Sequence, residues 1–335
     1  MGARSCQDRG VEEIASIAGW YRWFAVNEAQ GRSPLYMEFA EGVAGDHELL
    51  SALAGLEAAK RQPNLLFAAV RHVCGLPSDW AQFRRWFFER RDEVIEVMIA
   101  RRTQTNEPAR CATLLPLLAM LPGPLALIEV GAAAGLCLLI DRYGYAYGDH
   151  IVPARDLVVL SPLFHCSASA GTPLPAENIE IAWRAGLDLN PIDVHDPDQV
   201  AWLEALVWPG EGRRLDLLRM ALEVARADPP PVAKGDLRTD LPTLAAQAPQ
   251  GATLVVFHTA VLNYIADPTE RSSFGDTIQS LGARWVANEG HGVLANPTRT
   301  ANQPPWPEGL FLLSLDGQPI AHTDPHGTTI DWLQP

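Results

Sequence analysis

Several groups of residues in this 335-residue chain have types and spacings that could do chemistry. Glu129, Gly131, Ala133 and Gly135 lie in LALIEVGAAAGLCLLIDRYGY (125–145), where an apolar, β-branched run gives way to small residues and then to Leu136, Leu138, Leu139 and Ile140. That pattern reads as a strand, a tight turn and a helix start. Gly131 and Gly135 remove side chains where backbone must approach closely, and the first N–H groups of a helix have no internal partner, so the turn is expected to stand open to a ligand. A dinucleotide fingerprint needs glycine at the first, third and sixth places. Here those places hold Gly131, Ala133 and Leu136, and the leucine fits that pattern poorly.

Asp188, with Asp193 as its competitor, follows a strand-like run from Ile179, where a carboxylate can meet both hydroxyls of a ribose. The distance from Gly131 exceeds the roughly twenty residues of a simple βαβ unit, so this role requires an insertion. The plainer use of Asp188, Asn190 and Asp193 as turn and cap residues stays open. His258 follows TLVVF (253–257), the clearest buried strand, with Tyr264 six residues on. Polar residues released at the carboxyl end of a central strand are where open α/β sheets bind ligands, and an imidazole there can take a proton from an attacking nucleophile. A buried structural histidine is the competing reading. Glu289 falls at the end of another strand, 283–287, and Gln104, Asn106 and Glu107 sit in the polar run RRTQTNEPAR (101–110), just before the apolar segment 114–121. These are either a solvated helix end or residues beside the ligand cleft.

The elements that must position these groups follow from hydrophobic period. Before residue 110 no segment alternates like a strand. Val11 to Phe24, a helix opened by Ser33-Pro34, another capped by Asp46, Gln62 to Cys74, and a long one from Ser78 through Trp86 to Ile99 all repeat at helical spacing. Residues 1–110 are therefore expected to form a helical N-terminal cap, and residues 111–335 an α/β domain with an insertion around 145–179. In that domain five strands are expected at 125–130, 179–183, 232–236, 253–257 and 283–287, and the insertion offers a further short strand at 157–160 outside that count. Helices are expected at 198–227, broken at Pro209 to Gly212, and at 269–281. The segment 296–307 reads as a proline-rich surface loop. Leu310 to Leu315, Asp316-Gly317 and a return near 328–333 predict a terminal hairpin. Alternating strands and helices imply a doubly wound, mostly parallel, seven-stranded Rossmann-like sheet with an antiparallel edge.

Composition narrows the function classes. A formal net charge of −14 argues against a nucleic-acid backbone as main partner, because phosphate binding draws on excess Lys and Arg. The most apolar region, 111–140, is interrupted by prolines and glycines, so no membrane span is expected. Five scattered cysteines without a C-x-x-C pair read as reduced thiols of a cytoplasmic protein, with no metal site, and His165 beside Cys166 has no partner at ligand spacing. A small molecule or another protein is the expected partner.

An acid two residues before the first glycine, followed by G-x-A-x-G, resembles motif I of class I S-adenosylmethionine-dependent methyltransferases, with Ala133 where the commoner pattern has glycine. The resemblance implies a class I methyltransferase-like fold. It implies S-adenosylmethionine held by Glu129, Gly131, Ala133, Gly135, Asp188 and Asp236, the last near the adenine. His258, Glu289, Tyr264, Gln104, Asn106 and Glu107 would then line the site of a small-molecule acceptor. The phrases RRTQTNEPAR, ALIEVGAAAGLCLLIDRYGYAYG, GLDLNPIDV, WPGEGRR, PPPVAKGDL and VVFHTAVLNY together resemble an uncharacterised bacterial family, known as a numbered domain of unknown function. That resemblance implies an architecture and no activity. A non-catalytic ligand-binding or regulatory protein remains an alternative, and a hydrolase a weaker one, since no G-x-S-x-G elbow follows any strand.

Overall fold

The computed structural model describes residues 6–104, 106–155, 160–294 and 306–333. The predicted 296–305 part of the proline-rich loop and the predicted strand residues 157–159 lie outside them. The chain divides into two compact units. The first comprises Met1–Thr105 and Pro197–Leu215, and the second Asn106–Asp196 and Asp216–Pro335.

The first unit is helical: α1 (Cys6–Phe24), α2 (Pro34–Gly45), α3 (His47–Ala54), α4 (Pro63–Cys74), α5 (Trp80–Glu89) and α6 (Arg91–Ala100). Its helix starts follow capping chemistry. Ser33 Oγ accepts from Tyr36 N (3.4 Å) ahead of Pro34, and Asp46 Oδ1 accepts from Leu49 N (3.0 Å). The expected start at Ser78 is corrected to Asp79, whose Oδ1 accepts from Gln82 N (2.8 Å) while Gln82 Oε1 accepts from Ser78 N (2.6 Å). The long helix expected beyond it is broken at Arg90, which leaves helical geometry at φ −122° and ψ 29°. Around Phe67 the rings of Tyr21, Phe24, Tyr36, Phe39 and Phe83 pack with centroids 4.9–6.1 Å away. Segment 197–215 contributes Trp202 and Ala205 to the same core.

The second unit opens with α7 (Cys111–Leu118) and is built on a nine-stranded, mostly parallel sheet of described residues. Its strands are β1 (Leu125–Val130), β5 (Ser167–Ala168), β6 (Ile181–Asp188), β7 (Val232–Lys234), β8 (Thr253–Thr259), β9 (Arg284–Gly290), β10 (Phe311–Leu315), β11 (Gln318–Thr323) and β12 (Thr329–Trp332). A separate three-stranded sheet, β3-β2-β4, comprises β2 (Gly144–Tyr147), β3 (His150–Val152) and β4 (Leu163–His165) from the segment expected as an insertion. Spatial order in the large sheet is β5-β12-β11-β10-β9-β8-β1-β6-β7. From β1 the chain moves outward to β6 and β7, then returns past β1 to β8 and β9, all parallel. Strand order therefore reverses between β1 and β8, and the carboxyl edge beside that reversal is where such sheets receive ligands.

The expected count of seven strands is corrected to nine. Asp316-Gly317 does make a tight turn, both residues having positive φ (51° and 78°), but the return strand begins at once with Gln318. Pro319 obscured that strand, and residues 329–332 form a third strand of the meander. Ile128, Val130, Ala185, Leu187 and Val256 face α10 (Leu241–Ala245) and α11 (Pro268–Ser280) in one apolar layer, and Glu129 points to the opposite side of β1. Helices α8 (Pro197–Leu206) and α9 (Gly212–Ala227) fill the span expected to be helical, with the break between them where Pro209 predicts it.

Candidate functional site

The bend after β1 is filled. Gly131, Ala133 and Gly135 all take positive φ (71°, 48° and 68°), so the backbone reverses in left-handed steps that favour small residues. Gly131 N donates to Leu187 O (2.8 Å), Ala133 N to Asp188 Oδ2 (2.8 Å), Ala134 N to Asn106 Oδ1 (3.3 Å) and Gly135 N to Ala132 O (2.6 Å). A Cβ placed on Gly131 would lie 2.5 Å from Val261 Cγ2, and one on Gly135 would lie 2.8 Å from Pro230 Cγ. The expected helix after the bend is a 3₁₀ segment, Leu136–Arg142, kinked at Leu139. The expectation of a bend with its amides open is corrected accordingly. The glycines admit neighbouring side chains, and the amides are spent on neighbouring strands and loops.

The other predicted binding residues differ in their surroundings. Asp188 ends β6, beside β1; its carboxylate joins Ala133 N to Asn190 N (2.7 Å from Oδ1), tying the end of β6 to the bend. Asn106 reaches the bend directly, and Glu107 is buried beside it with its carbonyl oxygen accepting from Cys137 Sγ (3.6 Å). Gln104 belongs to the first unit. Glu129 is buried with Oε2 unpartnered, and burial, reinforced by Cys137 and Asp188, pushes its carboxyl well above the usual range. Asp236 instead pairs with Arg238 (Oδ2 to Nη2, 2.6 Å), which holds its carboxyl below the usual value.

At the carboxyl ends of β8 and β9 the arrangement differs. The parallel register sets Val256 opposite Trp285 and His258 opposite Ala287, so the period-two alternation puts His258, Trp285 and Glu289 on one face, under Phe274 of α11. His258 is fully buried. Its Nε2 accepts from Trp285 Nε1 (2.9 Å), which leaves Nδ1 to carry the proton and donate to Glu289 Oε1 (2.6 Å). Glu289 Oε1 accepts as well from Val261 N (2.8 Å) and Leu262 N (3.1 Å). With three donors fixing one oxygen, the other, Oε2, is buried without a partner. Ala260, at φ 57°, turns the chain away from β8 so that these amides face Glu289.

Glu289 also lines a cavity of about 320 Å³ together with Ala260, Asn263, Arg271, Val293 and Phe311. Arg271, on α11, has a buried Nε without a partner. The His258 ring is sealed, its two nitrogens held by Trp285 and Glu289. Tyr264 is 67 % exposed and lies outside the cavity wall, while its neighbour Asn263 is part of it. Asp188 and Asn106 therefore meet at the bend, and Glu289 and His258 meet at the β8–β9 edge.

A family model described as "Uncharacterized protein conserved in bacteria (DUF2332)" matches residues 18–332. The chain belongs to that family. No curated protein and no solved structure matches it. Both the bend and the β8–β9 cavity fall within the matched span. Among the described residues no group of three or more His, Cys, Asp or Glu is placed to hold a metal ion, and no helix is long and apolar enough to cross a membrane.

Sequence reasoning passed over Trp285, Asn263 and Arg271. Trp285 had a signal, standing four residues before Glu289 on a strand and hence on the same face. Arg271 had none, because an arginine near the start of a polar helix reads as surface. Arg110 was also passed over: it is buried, donating to Thr259 O (3.2 Å) and Oγ1 (3.1 Å) and to Pro325 O (2.7 Å), and it holds the end of β8.

Proposed function

We propose that this chain binds a small organic molecule in the cavity at the carboxyl ends of β8 and β9, with Glu289 as the polar centre that accepts a hydrogen bond or a proton from it. One observation carries the reading: a buried carboxylate on the cavity wall has one oxygen fixed by three donors and the other left without a partner, a costly arrangement that a ligand donor relieves. Native mass spectrometry of the protein incubated with a bacterial metabolite extract tests it. A bound small molecule is expected on the natural protein and is expected to be lost from Glu289→Gln. Equal retention by the variant, or no adduct on either protein, would count against the site.

Methyl transfer from S-adenosylmethionine on a class I methyltransferase-like scaffold is the second reading. It is favoured by the reversal of strand order between β1 and β8 and by Asp188 standing at the end of the adjoining strand. In it the β8–β9 cavity receives the acceptor, and a cytoplasmic location goes with it. Because Val261 packs on Gly131, this reading requires Val261 to swing aside. Calorimetry with S-adenosylmethionine and its demethylated product should then give heat that grows in Val261→Ala. No heat from either protein would remove the cofactor.

A further inference from the structure

Resting on the cavity reading above, we infer that its occupant is a zwitterion of the α-amino-acid kind, with the ammonium on Glu289 and the carboxylate on Arg271. Glu289 and Arg271 bring one negative and one positive formal charge to the same cavity, and each has a buried polar atom with no partner, Oε2 on one and Nε on the other. An anion alone would leave Glu289 Oε2 unpaired and add a like charge beside it. A simple cation would leave the Arg271 Nε–H unpaired. A molecule carrying both groups satisfies both atoms at once.

Size and lining point the same way. A cavity of about 320 Å³ is at the small end of ligand pockets, which run from roughly 300 to 1,000 Å³. Phe311 and Val293 supply an apolar wall for a short side chain, and Asn263 a further polar contact. The fixed carboxylate suits an ammonium, because the His258, Val261 and Leu262 donors restrict its rotation and its remaining oxygen is already oriented when the ligand arrives.

The test is titration calorimetry of the full chain against the twenty common L-amino acids. The best binder is then compared with its decarboxylated amine and its deaminated acid. The amino acid is expected to bind at least tenfold more tightly than either half-ligand. Glu289→Gln and Arg271→Gln are each expected to weaken it at least tenfold, and Arg271→Gln, at a half-buried position whose Nε has no partner to lose, should keep the natural melting temperature. If the amine or the acid alone binds as well as the amino acid, or if Arg271→Gln binds unchanged, the zwitterion is overturned while the cavity reading stands. The same holds if no amino acid binds but the metabolite extract still yields a Glu289-dependent adduct. If neither amino acids nor extract give any binding, both fall.

Discussion

Glu129 combines deep burial, an unpartnered Oε2 and the nearby Cys137 and Asp188, all of which disfavour its charged form. Between the ordinary value of 4.5 and its raised value in the fold, the native state holds a proton that the unfolded chain has lost. Stability contributed by this group is therefore complete below the ordinary value and declines as pH rises through that window. Glutamine has no proton to lose. Denaturant melts at pH 5 and pH 8 should show Glu129→Gln gaining on the natural protein at the higher pH, whereas parallel curves would mean Glu129 is charged and paired. Glu289 is equally buried but receives three donors, so two acids of similar burial have opposite surroundings.

At the scale of elements, the β1 bend and Val261 form a lock. Alanine at Gly131 would need a left-handed φ and would put its Cβ 2.5 Å from Val261 Cγ2, so Gly131→Ala should cost about 2–4 kcal/mol from strain and overpacking together. Adding Val261→Ala should return part of that loss, with a coupling of about 0.5–3 kcal/mol in a double-mutant cycle. Strict additivity would show that the two do not press on one another. Much of this level was legible in the sequence. Ser33-Pro34, Asp46 and the TLVVF run announced their elements because capping and strand burial are local. The bend's closure was not legible, since Val261, Pro230 and Asn106 reach it from remote parts of the chain. Nor was the Glu289 site as a unit, because His258, Trp285 and Arg271 become neighbours only through β8–β9 pairing and the helix laid over it. The hairpin's return strand was missed because Pro319 speaks against a strand by itself.

On the scale of the molecule, each unit has its own apolar core, and the first depends on a ring cluster centred on Phe67. Phe67→Ala removes a ring in contact with Tyr21, Phe24, Tyr36, Phe39 and Phe83 and should cost about 3–5 kcal/mol, read as a lower denaturation midpoint. A loss under about 1 kcal/mol would mean the cluster repacks freely.

That first unit is also assembled from two separate lengths of chain. Trp202 is one of its core residues, and Trp208 packs on Phe24 and Tyr36 with ring centroids 5.4 and 5.6 Å away, yet both lie beyond the whole of 106–196. On a translating ribosome, which releases the chain from its N-terminus, the opening helices emerge first and must wait for these two indoles. Throughout that interval the nascent protein carries an aromatic face with its final layer unmade, and these helices are completed only after the whole of 106–196 has been made.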